Sequence, residues 1–427
     1  MAEVPPGGAS SMSVEVVVMD VLFDRVAGID VGKATVTVCV RTPGTGRKRA
    51  SETRTFRTMT RSLVVMADWL QECGVTLAAM ESTATYWKPI FYCLEERMEC
   101  WLLNAAHMKA VPGRKTDVRD AEWIAQLLEH GLVSPSFVPP PEVRTLRNLA
   151  RYRLQLMGDR TRDAGRLEKL LEDASIKLSV VASNITGTSS REMLAALVAG
   201  ERDAAVMADL AHSTLRRKIP DLTEALTGRF DDHHAAIVGQ LLTKLEQTEA
   251  GLRRIDAELE IRMVPFARQL ELLRTIPGVG LVTAQVFIAE TGGDMSKLRS
   301  PERLAAWVGL APAIHESAGK RTPAGSRRGN KFLTSMLVEA ANSASRTKNT
   351  YLASQFKRIA SRRGHGRAAV AVAHSMLVSA YWMLVRDEPY QDLGPDWLSK
   401  RNDEAHARRL VAQLERLGHT VVLDPVA

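Results

Sequence analysis

The chain has 427 residues, of which 45% are hydrophobic, with a formal net charge of +8 and a pI near 9.4. This length exceeds what one hydrophobic core normally serves, so we expect two or three domains, and the basic excess suits a polyanionic partner. The four cysteines form no C-x-x-C pair, which predicts reduced thiols in a cytoplasmic protein, and no apolar run approaches the ~20 residues of a membrane span.

The first third of the chain alternates strand and helix patterns. After a leader (1–24) that is expected to be disordered, residues 25–136 predict a mixed α/β sheet domain. The strands are expected over 26–40, 51–58, 76–80 and 100–104, and the helices over 61–73, 88–98 and 121–130. A Pro-rich stretch, 135–141, closes this domain.

Acidic residues stand out on these apolar strands. Asp30 lies within the run 26–40, Glu81 ends the strand at 76–80, and Asp117 and Asp120 begin the last helix. Carboxylates rarely occupy strands without a partner, and their oxygens are the ligands that Mg²⁺ or Mn²⁺ prefers. Two such ions about 4 Å apart are the usual device for cutting phosphodiesters. The alternative for Asp117 is a helix N-cap, with Asp120 as a first-turn acid.

Two long helical patterns follow, within a region 142–265 that we expect to serve oligomerisation or spacing. The first covers 146–178, and the second carries an apolar ladder at heptad spacing, which predicts coiled-coil packing with each other or with a second subunit. The ladder comprises Val238, Leu241, Leu245, Thr248, Leu252, Ile255 and Leu259. Residues 180–227 between them carry no readable motif, and the isolated doublet His233-His234 is not expected to hold zinc.

A helical unit is expected over 270–386, followed by a C-terminal appendage (387–427). It opens with Ile276-Pro-Gly-Val-Gly280, a pattern typical of a helix-hairpin-helix. Pro277 would stop the first helix, while Gly278 and Gly280 would allow a turn whose amides could hold a DNA phosphate. A plain turn between two helices is the alternative.

A serine among cations lies further on. Ser317 is followed by Lys320 and Arg321, and then by Arg327, Arg328 and Lys331. A serine hydroxyl is a weak nucleophile unless its proton and its target's charge are handled, so cations beside a scissile phosphate would help. Ser326 is an equally plausible candidate on composition alone.

The motifs occur in one order that resembles the DEDD transposases of bacterial insertion sequences, whose recombination is guided by a bridge RNA. They are Gly28-Ile-Asp-Val-Gly-Lys33, Met80-Glu-Ser-Thr-Ala-Thr-Tyr-Trp-Lys-Pro89, Lys115-Thr-Asp-Val-Arg-Asp-Ala121, the hairpin at 276–280, Gly309-Leu-Ala-Pro312 and Glu316-Ser-Ala-Gly-Lys320. The chain reads Ser317-Ala-Gly where the family often has Ser-Gly.

The resemblance implies a fold of α/β plus all-α type. It would combine an RNase H/RuvC-like domain holding Mg²⁺ (or Mn²⁺) on Asp30, Glu81, Asp117 and Asp120 with a helical transposase domain whose nucleophile matches Ser317. It also implies DNA (element ends and target) and a structured guide RNA as partners, a homo-oligomer (dimer or tetramer) and no membrane. Nucleic-acid contacts are expected from Lys33, Lys115 and the basic run that includes Arg362 and Arg363.

The sequence therefore predicts a metal-dependent transposase or recombinase. A RuvC-like junction endonuclease that hydrolyses DNA with water is one alternative. A non-catalytic nucleic-acid-binding protein, whose acids are only caps and surface charge, is another.

Overall fold

The computed structural model describes residues 20–45, 48–104, 120–312, 315–317, 320–322, 329–397 and 403–422, with backbone alone in the two shortest segments. The chain forms two compact units, divided between Val138 and Pro139. The division lies within the Pro-rich stretch. The finer division of the second unit into a helical spacer, a serine-bearing domain and an appendage stays a prediction.

A mixed sheet is the centre of the first unit, as predicted, and it has five strands. Its strands in spatial order are β3-β2-β1-β4-β5. β1 pairs antiparallel with β2, and β2 with β3, whereas β1 and β4, and β4 and β5, are parallel. The strand bounds are β1 Val26–Val31, β2 Thr35–Pro43, β3 Arg49–Arg57, β4 Leu77–Glu81 and β5 Glu99–Leu103.

The expectation of one strand over 26–40 was wrong, because a turn divides the run into β1 and β2. The backbone N–H of Gly32 donates to the carbonyl of Thr35 at 3.0 Å. A Cβ at Gly32 would lie 2.8 Å from that same oxygen, so the turn requires glycine. The two halves then pair with each other, from Val26 with Arg41 to Val31 with Val36.

Helices cover both faces of this sheet. On one face α1 (Thr60–Glu72) and α2 (Trp87–Leu94) bury Met66, Leu70 and Ile90 against the alternate residues of β1 and β2. On the other face α3 (Asp120–Glu129) packs Ile124, Leu127 and Leu128 against β1, β4 and β5. β1, the middle strand of the five, and its neighbour β4 are covered on both faces.

Two long helices, α4 (Pro141–Asp173) and α9 (Asp232–Met263), pack on each other in the second unit. The predicted ladder on α9 is buried or half-buried along its whole length. The segment without readable motifs folds as a helical cap on this pair, with Met193, Leu197 and Leu222 packed against Leu171 and Leu245. Its helices are α5 Leu178–Val181, α6 Thr188–Val198, α7 Ala204–Asp209, the 3-10 turn Ser213–Lys218 and α8 Ile219–Ala225.

The described residues of the rest of the second unit are helical apart from one short hairpin. Its elements are the 3-10 turn Val264–Phe266, α10 Ala267–Arg274, α11 Leu281–Thr291, the 3-10 turn Met295–Leu298, α12 Pro301–Val308, β6 His315–Ser317, β7 Lys320–Thr322, α13 Lys331–Ala344, α14 Tyr351–Arg363, α15 His365–Arg386 and α16 Asp403–Arg416.

The helix α15 corrects the expectation about apolar runs. By length and composition alone it could cross a membrane, and 50% of its most apolar window is buried inside the protein. It packs against α12, α13 and α14, with Met376 and Leu377 fully buried. These contacts are those of a core helix.

Candidate functional site

Two of the predicted acids lie side by side on neighbouring parallel strands. The register of β1 and β4 pairs Ile29 with Met80, so Asp30 and Glu81 occupy the next position, where both strands end. Adjacent strands are about 4.8 Å apart, which puts the two carboxylates within reach of one ion. Asp30 is exposed and Glu81 half-buried.

Both acids face the side of the sheet that α3 covers. Alternate residues of a strand share a face, so Asp30 lies on the face of Gly28, and Glu81 on that of Ala79. Ala79 packs with the α3 core. A Cβ at Gly28 would lie 2.2 Å from the carbonyl oxygen of Ala121, so the start of α3 touches the backbone of β1 directly.

The direction of α3 brings a third acid to the same edge. Its first turn meets β1 at Gly28, while its last residue, Glu129, bonds Arg41, the partner of Val26 at the opposite end of β1. The helix therefore runs antiparallel to β1 and begins where Asp30 and Glu81 lie. Asp120, its first residue, is half-buried at that edge.

An ion-pair cluster fixes the other end of α3. Glu129 is 1% exposed, accepts two hydrogen bonds from Arg41 at 2.9 and 2.8 Å, and contacts the Arg49 guanidinium at 3.1 Å. Burial opposes ionisation of this carboxyl, but the hydrogen bonds and charges of the two arginines outweigh it, so the pKa of Glu129 lies below its usual value. The cluster holds α3 in register with the sheet.

The donor set at this edge fits a hard divalent cation. Asp30, Glu81 and Asp120 offer carboxylate oxygens, which Mg²⁺ and Mn²⁺ prefer over nitrogen or sulfur. Lys33 is exposed in the turn that follows β1, three residues beyond Asp30. Two further predicted residues, Lys115 and Asp117, lie outside the described residues.

Ser317 is the last residue of β6, in a hairpin of the second unit. The backbone register pairs Ser317 with Lys320 and Glu316 with Arg321. The predicted cations Arg327 and Arg328, and the alternative Ser326, lie outside the described residues. The serine therefore occupies the tip of a two-stranded ribbon between α12 and α13.

The base of this hairpin is tied to the helical core. A Cβ at Gly329 would lie 2.3 Å from the Gly309 nitrogen, at the end of α12. The next residue, Asn330, caps α13 by accepting from the N–H groups of Phe332 and Leu333, each at 3.2 Å. Both ends of the segment 310–330 therefore meet at α12.

A buried acid also bonds Asn330. The Asn330 amide donates to Glu290 at 2.6 Å, and Glu290 is fully buried in the apolar helix α11. Arg151 of α4 donates both of its hydrogen bonds to the same carboxylate at 2.7 and 2.8 Å. Sequence reasoning missed this network, although a lone glutamate in an apolar helix is a signal for a buried partner.

The glycine turn between α10 and α11 packs against α13. Gly278 has φ +88°, and a Cβ there would lie 2.3 Å from the Ala340 carbonyl oxygen, so close packing explains this residue. Gly280 is the exposed N-cap of α11, with nothing within 4 Å of a Cβ placed there. Pro277 is half-buried in the turn. Phosphate binding by this turn stays a prediction.

The basic run lies largely on α14 and at the start of α15. Arg362 and Arg363 are exposed in the last turn of α14, and Lys331 is exposed at the start of α13. The aromatic residues of the run are occupied by packing: Phe356 is 5% exposed and meets His365, and Tyr351 meets Trp397. This surface therefore offers cations to a polyanion rather than rings for stacking.

The histidine doublet has a structural role. Asp173, His233 and His234 bring possible ligand atoms within 4.8 Å of one another. The backbone N–H of Asp231 donates to Nδ1 of His234, at the start of α9, which leaves Nε2 of the neutral ring to donate to Asp173 at 3.2 Å. Nδ1 of His234 thus serves the cap of α9, and Nε2 joins the start of α9 to the end of α4.

Comparison with known proteins places both units in one group. A family model described as a transposase, of the DEDD type of IS110, matches residues 27–176, and a model described as the transposase IS116/IS110/IS902 family matches residues 270–357. The first region includes the three acids at the sheet edge, and the second includes the hairpin of Ser317.

Individual relatives agree with this. The chain is 33% identical over 141 residues to the transposase for insertion sequence element IS1111A of Coxiella burnetii, covering 32% of this chain and 38% of that protein. It is 28% identical to the insertion element IS900 uncharacterized 42 kDa protein of Mycobacterium paratuberculosis, covering 64% of this chain and 72% of that protein. With the transposase for insertion sequence element IS1328 of Yersinia enterocolitica the identity is 25%, covering 66% and 74%. The chain belongs to the IS110/IS116 family of insertion-sequence transposases.

Proposed function

We propose that the protein cuts and rejoins DNA as the transposase of an insertion sequence, using a divalent-cation site and a serine nucleophile. The observation that carries the proposal is the gathering of Asp30, Glu81 and Asp120 at one edge of the sheet. The family of the chain supports DNA as the substrate. Asp117 is proposed as the fourth acid on the resemblance alone.

The acids would hold Mg²⁺ or Mn²⁺. Once bound, such an ion neutralises charge on a phosphodiester and makes its phosphorus more electrophilic. The residues themselves supply two hard anionic ligands from adjacent strands and a third from the start of α3, with Gly28 keeping that helix against β1. Lys33, exposed beside this edge, would draw the DNA backbone toward the acids.

Ser317 would be the attacking group. Its hydroxyl oxygen forms a bond to the scissile phosphorus and its proton passes to solvent or a base. The bond from phosphorus to the DNA oxygen breaks, and that oxygen takes up a proton from solvent or an acid to leave as a strand-end hydroxyl. One phosphodiester is thereby exchanged for another, and the reverse attack by a new strand end rejoins the DNA. The hairpin supports this role, because it carries Ser317 in its ribbon while the segment that contains it is anchored at Gly329 and Asn330.

The partners follow from the same proposal. Exposed Lys331, Arg362 and Arg363, together with Lys320, Arg321 and the turn at Gly280, would contact phosphates with little sequence preference. We propose that pairing with a structured bridge RNA supplies the choice of site. A homo-oligomer would combine the acids of one protomer with the serine of another, in the cytoplasm.

A junction endonuclease that uses water is the second candidate, because the acid edge alone would suffice for hydrolysis. The decisive experiment incubates the full-length protein with Mg²⁺, the proposed guide RNA and labelled element-end DNA, then analyses the products under denaturing conditions. A protein–DNA adduct that is lost in Ser317→Ala and in Asp30→Asn supports the transposase. Strand cleavage without an adduct, and undiminished in Ser317→Ala, supports the hydrolase and removes Ser317 from the mechanism.

A matched control separates catalysis from binding. Ser354→Ala alters a half-buried serine of α14, outside the hairpin. Both serine variants should bind DNA like the unaltered protein, and Ser354→Ala should also form the adduct. If the adduct vanishes in both variants, the loss reflects general damage and not the nucleophile.

A further inference from the structure

A cavity of about 680 Å³ opens beside the base of the Ser317 hairpin. Leu310 and Pro312, which lead into β6, form one wall. The opposite wall is the first three turns of α15, with Arg367 and His374, and Gln355 of α14 lies between them. The volume falls in the usual range of sites for small ligands, roughly 300–1,000 Å³.

The lining of this cavity combines flat apolar walls with unsatisfied polar atoms. Among the described residues, Oε1 of Gln355 and Nδ1 of His374 have no hydrogen-bond partner although both are shielded from solvent. The Gln355 amide N–H₂ donates to Ser375 at 2.9 Å, which fixes the side chain at the wall. Buried polar atoms usually have partners, so an occupant that donates to Oε1 of Gln355 and forms a hydrogen bond with Nδ1 of His374 would satisfy these two.

Charge favours an anionic occupant. From Ala340 to Arg386 the chain contains no aspartate or glutamate. The cations over the same stretch are Arg346, Lys348, Lys357, Arg358, Arg362, Arg363, Arg367 and Arg386. Arg367 lines the cavity, and the exposed arginines of α14 lie next to it in the chain. A polyanion bound to these arginines would therefore lie beside the mouth of the cavity.

We propose that this cavity receives one unpaired nucleotide of a bound nucleic-acid strand. Its base would lie between the Leu310–Pro312 wall and the apolar side chains of α15, with its edge hydrogen-bonded to Gln355 and His374 and its phosphate beside Arg367. Proteins that act on unpaired bases hold them in this way, between apolar side chains and a few polar groups. The inference rests on the proposed function, because it names the part of the nucleic acid that this face binds.

The test uses four probes: a paired DNA duplex, the same duplex with one unpaired nucleotide, and RNA versions of both. The full-length protein should bind the unpaired form at least tenfold more tightly than the paired form in DNA, in RNA or in both. The nucleic acid that shows this preference is the one whose nucleotide enters the cavity. Equal affinity for paired and unpaired forms overturns the cavity proposal alone. Failure to bind any probe overturns the proposed function as well.

Variants locate the effect. Ala371→Phe fills the cavity and should abolish the preference while leaving affinity for the paired duplex unchanged. Ser379→Phe places the same ring in a second cavity of about 290 Å³ along the same helix and should keep the preference. Gln355→Met, which conserves volume and removes the amide, should weaken the preference even if Ala371→Phe fails to fold. Retention of the full preference in both Ala371→Phe and Gln355→Met contradicts the proposal.

Discussion

Replacing Gly28 by alanine tests the geometry of the acid site through a residue that carries no chemistry. The added Cβ would lie 2.2 Å from the Ala121 carbonyl oxygen and 2.3 Å from the Ala125 nitrogen. Ordinary van der Waals contact needs about 1 Å more, and both obstacles are backbone, so α3 must move away from β1. Overpacking of this kind costs about 3 kcal/mol, or about 10 °C in the melting temperature of a unit of this size.

The same displacement moves Asp120 away from Asp30 and Glu81. A misplacement of about 1 Å lowers catalysis on the order of 100-fold. We therefore expect Gly28→Ala to weaken Mn²⁺ binding and to reduce DNA cleavage by about that factor at temperatures where the protein remains folded. Calorimetric titration with Mn²⁺ measures the loss of metal affinity, and thermal melting measures the loss of stability separately.

Gly165→Ala is the matched control. Gly165 lies within α4, and nothing is within 4 Å of a Cβ placed there, so alanine should stabilise the helix by about 0.5–1 kcal/mol. Its Mn²⁺ binding and cleavage should not change. Unchanged melting and metal affinity in Gly28→Ala would refute the direct contact of α3 with β1, and with it the gathering of the acids.

Three further predictions concern stability and the hairpin. Because the pKa of Glu129 is lowered in the folded state, its contribution is fully present above the usual pKa of about 4.5 and is lost as pH falls from there through the folded-state pKa. Glu129→Gln should cost about 3 kcal/mol in urea unfolding at pH 7, and the cost should shrink as pH is lowered below 4.5. A cost that does not change with pH would contradict the ion pairs. Asn330→Ala should lower the free energy of unfolding by about 1–2 kcal/mol and reduce the yield of the Ser317 adduct without weakening DNA binding. An adduct yield equal to that of the unaltered protein would show that Asn330 does not position the serine. Leu245→Ala should destabilise the second unit by about 2–5 kcal/mol and leave Mn²⁺ binding intact; a simultaneous loss of metal binding would contradict a site confined to the first unit.

Much of the first unit was predictable because its strands and helices differ in hydrophobic period. The strands ending at Glu81 and Leu103 and the helix beginning at Asp120 were located within one or two residues. The turn at Gly32 was missed because apolar alternation continues on both sides of it, and only the single glycine marks the break. Acids on apolar strands identified the edge of the sheet, since few other roles place carboxylates there.

Other parts could not be predicted because they depend on pairing between distant segments. Glu290 and Arg151 are separated by 139 positions, and no local pattern joins them. The cap formed by residues 178–225 is built from short helices whose apolar faces are buried only by packing against α4 and α9. Position 278 likewise requires glycine because α13 packs closely against it, and the local glycine pattern does not reveal that contact.

The most direct test of the central claim is calorimetric titration of Mn²⁺ into the full-length protein and into Asp30→Asn, Glu81→Gln and His233→Ala. Mn²⁺ should bind saturably, and the binding should weaken at least tenfold in each acid variant and stay unchanged in His233→Ala. Binding that survives both acid substitutions, or that is lost in His233→Ala, would contradict a cation site at the ends of β1 and β4.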